Sequence, residues 1–204
     1  RNCIMPFYNS MEGKHWNFSN KIHCAYSDRQ GNLWMCTHSK GLEKITFRTE
    51  RFRVKRPVQS DRETLGNEVR ALHEYGKNLW VGLKDGMLRI YDSSYNEIGY
   101  MTESGKISKS GTPLAGNVYY MTCDSKGTMW IATKGAGLIK AEPEGARMQF
   151  RLTRYEHNPN DIYSLSSNDV YCIYEDHSGR IWVATFSNGI NYISKDENGK
   201  DIFI

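Results

Sequence analysis

Seven side chains in short, similarly placed segments could hold a ligand: His38, Lys40, Lys84, Asp85, Lys134, Phe186 and Asn188. Lys40, Lys84 and Lys134 recur in three of four such segments, where ammonium groups would meet a carboxylate or an acidic sugar. Phe186 could stack its ring on the face of a sugar. The competing reading is that loop lysines are solubility residues that only face water. No metal cluster is expected, because the six histidines (His15, His23, His38, His73, His157 and His177) fall at unrelated positions of the repeat described below. Cys3, Cys24, Cys36, Cys123 and Cys172 include no CxxC pair and read as small buried hydrophobes. No cofactor is expected either.

These segments have to be positioned by something, and the chain repeats itself four times. The copies align on Trp34, Trp80, Trp130 and Trp182, spaced by 46, 50 and 52 residues. Residues 22–45 read IHCAYSDRQGNLWMCTHSKGLEKI, and residues 170–193 read VYCIYEDHSGRIWVATFSNGINYI. In the first, third and fourth copies an aspartate (Asp28, Asp124, Asp176) lies six residues before the tryptophan. A glycine lies three before it (Gly31, Gly127, Gly179) and another seven after it (Gly41, Gly137, Gly189). The second copy has Glu74 for the aspartate and is one residue shorter in each turn, with Gly76 and Gly86 as its glycines.

Each copy reads as strands joined by tight turns. Residues alternate along 170–175, an Asp-x-x-Gly turn follows, and the tryptophan rides on a second strand over 181–185. A turn ending in glycine leads to a third strand over 190–194. Outer strands are expected over residues 52–55, 97–101, 150–155 and 201–204, and a stray one over 3–7. Four strands at a period near fifty residues give an all-β chain, a β-propeller segment of four four-stranded blades. The expected divisions are 1–15 for the end of a preceding blade, then 16–56, 57–103, 104–155 and 156–204 for blades one to four. Trp34, Trp80, Trp130 and Trp182 are expected to fill the gaps between neighbouring sheets, while Gly41, Gly86, Gly137 and Gly189 shape turns. The loops after the second strands, and the linkers 57–68, 103–117 and 156–169, would then share one face.

Bulk properties narrow the class. Across 204 residues, 27 Lys and Arg against 23 Asp and Glu leave a net charge of +4, with the two signs interleaved, so a nucleic-acid surface is not indicated. No apolar run approaches the roughly 20 residues of a membrane span. The chain begins at Arg1 rather than Met, which suggests a piece of a longer protein.

The pattern V-x-x-I-x-x-D-x-x-G-x-x-W-x-x-T-x-x-x-G-[LI], with the lead-in FRLTRYEHNPNDIYSLSSNDV before the fourth copy, resembles the two-component regulator propeller repeat. That resemblance implies seven-bladed propellers in the periplasmic sensor region of hybrid two-component histidine kinases, with oligosaccharide ligands. It implies kinase activity and a membrane helix in the parent, and no catalysis in this segment. Four copies would be about half such a ring, so the remaining blades or a second copy of the chain are expected as partners. Two other readings are a glycan-active propeller enzyme and a protein-interaction scaffold. Tyr26-Ser27-Asp28 through Trp34 is similar to the Asp-box of sialidases, but the Asp-to-Gly spacing is three where that box has two. The three aspartates fall in hairpin turns and not as a catalytic pair. No WD dipeptide closes the repeat, so the WD40 family is not indicated.

Overall fold

Alternating side chains and glycine turns produce antiparallel strands, and within each sheet every strand is hydrogen-bonded to the next in sequence. The computed structural model describes residues 21–38, 41–46, 54–60, 63–145 and 148–204. They fall in two compact units, Arg1–Lys55 and Arg56–Ile204. The first unit holds one sheet of β1 (Ile22–Ser27), β2 (Asn32–Thr37) and β3 (Gly41–Thr46), in that order. In the second unit a short 3-10 turn (Leu65–Asn67) precedes a five-stranded sheet. Its strands are β4 (Val69–Tyr75), β5 (Asn78–Leu83), β6 (Leu88–Tyr91), β7 (Glu97–Met101) and β8 (Ile107–Ser108). Two four-stranded sheets follow. One contains β9 (Asn117–Cys123), β10 (Met129–Lys134), β11 (Leu138–Pro143) and β12 (Phe150–Tyr155). The other contains β13 (Val170–Glu175), β14 (Ile181–Thr185), β15 (Ile190–Lys195) and β16 (Asp201–Phe203).

The architecture is all-β, a propeller segment, and three of the expected outer strands form: β7, β12 and β16. The strand expected over 52–55 and the stray one over 3–7 fall wholly or partly outside the described residues, and Val54 and Lys55 carry no strand. The count of four strands per sheet needs correcting in the second sheet, which gains β8 from the segment expected to open the third blade. Gly99 makes room for it: a Cβ there would stand 2.6 Å from the Ser108 carbonyl oxygen. Beyond β8, the same segment bridges Thr102 to Pro113 and Lys106 to Gln149.

The aspartate of each repeat does more than form its turn. Asp28, Asp124 and Asp176 each present Oδ1 to two backbone N–H groups, those two and four residues ahead, at 2.8–3.1 Å. The second oxygen accepts the indole N–H six residues ahead: Trp34 at 2.9 Å, Trp130 at 2.8 Å and Trp182 at 2.8 Å. One carboxylate therefore closes the turn and fixes the tryptophan on the following strand. The threonine and glycine of the motif form a second clamp. Thr37, Thr133 and Thr185 donate Oγ1–H to the carbonyls of Gly41, Gly137 and Gly189 at 2.9, 2.7 and 3.1 Å. In the second copy Glu74 pairs across the hairpin with Leu79, and Trp80 Nε1 is buried with no hydrogen-bond partner among the described residues.

Alternation along the strands divides the core into layers. On β10, Met129 and Ile131 pack with Trp80, Leu88, Ile90 and Met101 of the preceding sheet, while Trp130 and Ala132 pack with Ile173, Ile181, Val183 and Phe203 of the following one. Trp80 is 1% exposed and meets Tyr75 and Phe150 edge-on, with centroids at 5.6 and 5.3 Å. Burying such a ring removes about 150–250 Å² from water, worth about 4–6 kcal/mol before entropy. Trp80 and Trp130 thus lie between neighbouring sheets of the second unit, and Trp34 and Trp182 are half-buried. Trp182 alternates with Ile181 and Val183, which pack toward the third sheet, and is covered by Tyr192 and Arg180 at 5.4 and 5.8 Å. Trp34 lies under the Lys44 ammonium at 5.1 Å.

Polar groups also join the third and fourth sheets. Lys140 pairs with Glu142 at 3.2 Å and reaches Asp201 at 3.8 Å, and the Tyr155 hydroxyl donates to the same Asp201. Ser125 donates its backbone N–H and hydroxyl to Glu175 at 2.7 and 2.6 Å. Lys140, Glu142, Glu175 and Asp201 border a cleft of about 500 Å³ between the two sheets, where Arg151 also pairs with Glu142 and Lys195 with Asp201.

Three outcomes follow from these contacts. Asp124→Ala strands the Trp130 indole and two backbone donors, and should lower unfolding stability by about 1–3 kcal/mol in a denaturant melt. Hydrogen bonds from Asn32 and Trp34 hold Asp28 well below the usual carboxylate range, and those from Ser178 and Trp182 do the same for Asp176. Their stabilisation is present above the unfolded-state value of about 4 and lost as pH falls toward the folded one. The advantage of the native chain over Asp176→Asn should therefore be constant above about pH 5 and shrink below about pH 4 in pH-resolved thermal melts. Gly137 and Gly189 have φ of 73° and 77°, but a Cβ at Gly137 would stand 2.1 Å from the Tyr155 carbonyl oxygen while one at Gly189 meets open space. Gly137→Ala should therefore cost clearly more than the ~1 kcal/mol of a left-handed alanine, and Gly189→Ala no more than that.

Candidate functional site

Each first strand carries one residue too many for its partner. Pairing skips between Ile22 and Cys24, between Val69 and Ala71, and between Val170 and Cys172. In the third sheet Ala132 faces Tyr120 and Thr133 faces Val118. The extra residues are His23, Arg70, Tyr119 and Tyr171, at one structural position in every sheet. A β-bulge leaves its extra residue unpaired and re-aims its side chain. The residue four after each tryptophan (His38, Lys84, Lys134, Phe186) follows or ends the opposing strand, so each sheet offers a pair at one end.

In the second unit these side chains form a contiguous row. The Arg70 guanidinium lies over the Tyr119 ring at 5.4 Å, the Tyr119 and Tyr171 rings are 4.9 Å apart, and Tyr171 stacks on Phe186 at 5.4 Å with an interplanar angle of 26°. Neighbouring first strands β4, β9 and β13 lie side by side, which brings side chains about fifty residues apart into contact. Phe186 is 58% exposed, so an aromatic face is open to solvent at the end of the row. It is fixed by its backbone N–H, which donates to the Asp169 carbonyl at 2.8 Å, and by Ser187 in the left-handed region at φ 65°. The third copy has Gly135 at the position of Ser187. A serine held there stores a small strain beside the exposed ring.

The basic end of the row is partly neutralised. Glu68 accepts from Lys84 at 2.8 Å and also from Arg70. The Lys84 hydrogen bond, helped by the Arg70 charge, holds the Glu68 carboxyl below its usual range. Lys84 is therefore one arm of a three-residue cluster and not a free ammonium. Asp85 is a turn residue whose Oδ1 accepts the Met87 N–H at 2.9 Å. Asn188 donates to the Ser166 carbonyl at 3.1 Å, which ties the loop to the linker. Lys134 is exposed at the position equivalent to Phe186. Lys40 lies outside the described residues. In the first sheet, described by itself, His38 stacks on His23 at 5.3 Å. His23 and His38 hold the places of Tyr171 and Phe186, two different positions of the repeat that the fold brings together.

The linker 156–169 is held by its own polar groups. Ser164 bonds to both backbone groups of Asn158 at 2.9 Å, Leu165 is fully buried in the core beside Trp130, and Ser166 donates to Asn191 at 2.7 Å. The Asn-Pro and Ser-Leu-Ser elements are thus a strap between sheets. Reading the sequence for loops found Phe186 and His38 but missed the bulged residues. The available signal was the residue that follows the first branched aliphatic residue of every first strand: His23 after Ile22, Arg70 after Val69, Tyr119 after Val118 and Tyr171 after Val170.

The two-component regulator propeller family matches at residues 18–39, 113–135 and 164–187, the first, third and fourth copies. Histidine kinase P4 of Formosa agariphila is 33% identical over 182 residues, 89% of this chain, which spans 13% of that kinase. The extracellular domain of BT4673 from B. thetaiotaomicron, assigned to a hybrid two component system, is 19% identical with a TM-score of 0.49, over 89% of this chain and 26% of that one. The corresponding domain of BT3049 is 20% identical with a TM-score of 0.44, over 91% and 32%. The second copy, which lacks the Asp–Trp bond, is the one outside the matched residues. This chain is built from repeats of the two-component regulator propeller family.

Proposed function

We propose that this chain is a ligand-sensing segment of a hybrid two-component sensor, on the extracytoplasmic side of the membrane, and that its ligand is an oligosaccharide. The observation that carries the reading is the Arg70–Tyr119–Tyr171–Phe186 row, built from the same bulge in each sheet and ending on an open aromatic face. Sugars present flat C–H faces that stack on such rings, and hydroxyls that suit the flanking polar groups. The segment binds and does no chemistry; the signal passes to histidine kinase modules elsewhere in the parent protein. A further blade or a second copy of the chain covers the far face of the fourth sheet, where Tyr174 and Ile190 are 57% and 65% exposed.

Thermal-shift and calorimetric titration of the parent's whole ectodomain against an oligosaccharide panel tests this. At least one sugar should raise the melting temperature. Tyr171→Ala and Phe186→Ala should each weaken its binding about tenfold, since one stacked ring contributes roughly 1–1.5 kcal/mol. A panel that shifts nothing, or binding indifferent to both substitutions, would count against the proposal.

A further inference from the structure

In the first sheet both members of one cross-strand pair are cysteines. Cys24 on β1 lies directly opposite Cys36 on β2. The same place holds Ala71 opposite Gly82 in the second sheet, Tyr120 opposite Ala132 in the third, and Cys172 opposite Ala184 in the fourth. Directly opposed residues of antiparallel strands point to one face with Cα atoms about 4.5–5.5 Å apart. A disulfide spans Cα separations of about 4.4–6.8 Å. The strands therefore already hold these residues at the required separation. Both thiols are free. The expectation of buried cysteines is corrected here: Cys24 is exposed and Cys36 half-buried, so one thiol is open to a dissolved oxidant and the other is less accessible.

We propose that Cys24 and Cys36 are a disulfide-forming site, closed by thiol–disulfide exchange with a small-molecule or protein disulfide. Cys24, as thiolate, attacks the oxidant's S–S bond, forms a mixed disulfide and releases one thiolate. Cys36, losing its proton, then attacks the Cys24 sulfur and expels the second. Two thiols lose two electrons and two protons, and the oxidant's disulfide is reduced to two thiols. The bond would lie between the bulged His23, next to Cys24, and His38, two residues beyond Cys36. It would fix the hairpin that carries the stacked imidazoles. The proposal does not depend on which ligand, if any, the propeller senses.

The test is a peptide map of the folded full chain, incubated with oxidised glutathione, quenched with N-ethylmaleimide and cut with trypsin without reduction. Trypsin places Cys24 in residues 22–29 and Cys36 in residues 30–40. The expected product is these two peptides joined, lighter by two hydrogens than their sum. Cys172, which faces Ala184, should carry glutathione or remain a thiol. Cys24→Ser should abolish the joined product and leave Cys36 as a thiol or glutathione adduct. Peptides 22–29 and 30–40 recovered apart from the native chain, whether as thiols or as separate glutathione adducts, would overturn the proposal, as would either one joined to Cys123 or Cys172 instead.

Discussion

A tryptophan placed between two sheets brings a large apolar ring and one polar N–H into a region with no water. The ring is welcome there, but the N–H needs an acceptor. The repeat supplies one from its own preceding turn. In three copies an aspartate six residues earlier accepts the indole N–H at 2.8–2.9 Å while its other oxygen closes the turn. Turn shape, strand register and ring position are thereby set by one carboxylate. The second copy is the exception: its buried Trp80 Nε1 has no acceptor among the described residues, and Tyr75 and Phe150 hold the ring by packing.

Fixing the second strand also fixes what the first strand can do. The other end of that first strand absorbs one surplus residue, and the bulge falls at the same place in all four sheets, the second included although it lacks the aspartate. The surplus side chains take no part in the apolar alternation. That leaves them free to differ (His23, Arg70, Tyr119, Tyr171) while the scaffold stays constant. A structural constraint and a variable surface thus arise from the same local event, which is how a repeated frame can carry a specific binding row.

Much of this was legible in the residues. The tryptophan spacing, the glycine turns and the alternation along Phe150–Tyr155 located the strands, and β7, β12 and β14 begin and end as read. The Asp–Trp bond was not anticipated, because a turn aspartate already has a sufficient local explanation in its backbone bonds. The bulge was hidden because period-two alternation reports which face a residue takes, not whether its partner strand skips it. β8 escaped because Ile107–Ser108 is too short to alternate and pairs only since Gly99 lets it approach. Of the loop candidates, Phe186 and His38 do join rings, whereas Lys84, Asp85 and Asn188 are engaged in local bonds that composition cannot reveal.

Proton exchange at the tryptophan indoles, followed by nitrogen-resolved NMR at neutral pH, addresses the central interaction most directly. If the aspartate holds the ring, the Trp130 indole proton exchanges far more slowly than that of free tryptophan, and Asp124→Ala accelerates it while leaving Trp80 unchanged. A Trp130 proton that exchanges at the free rate in the native chain, or one equally protected without Asp124, would contradict the account.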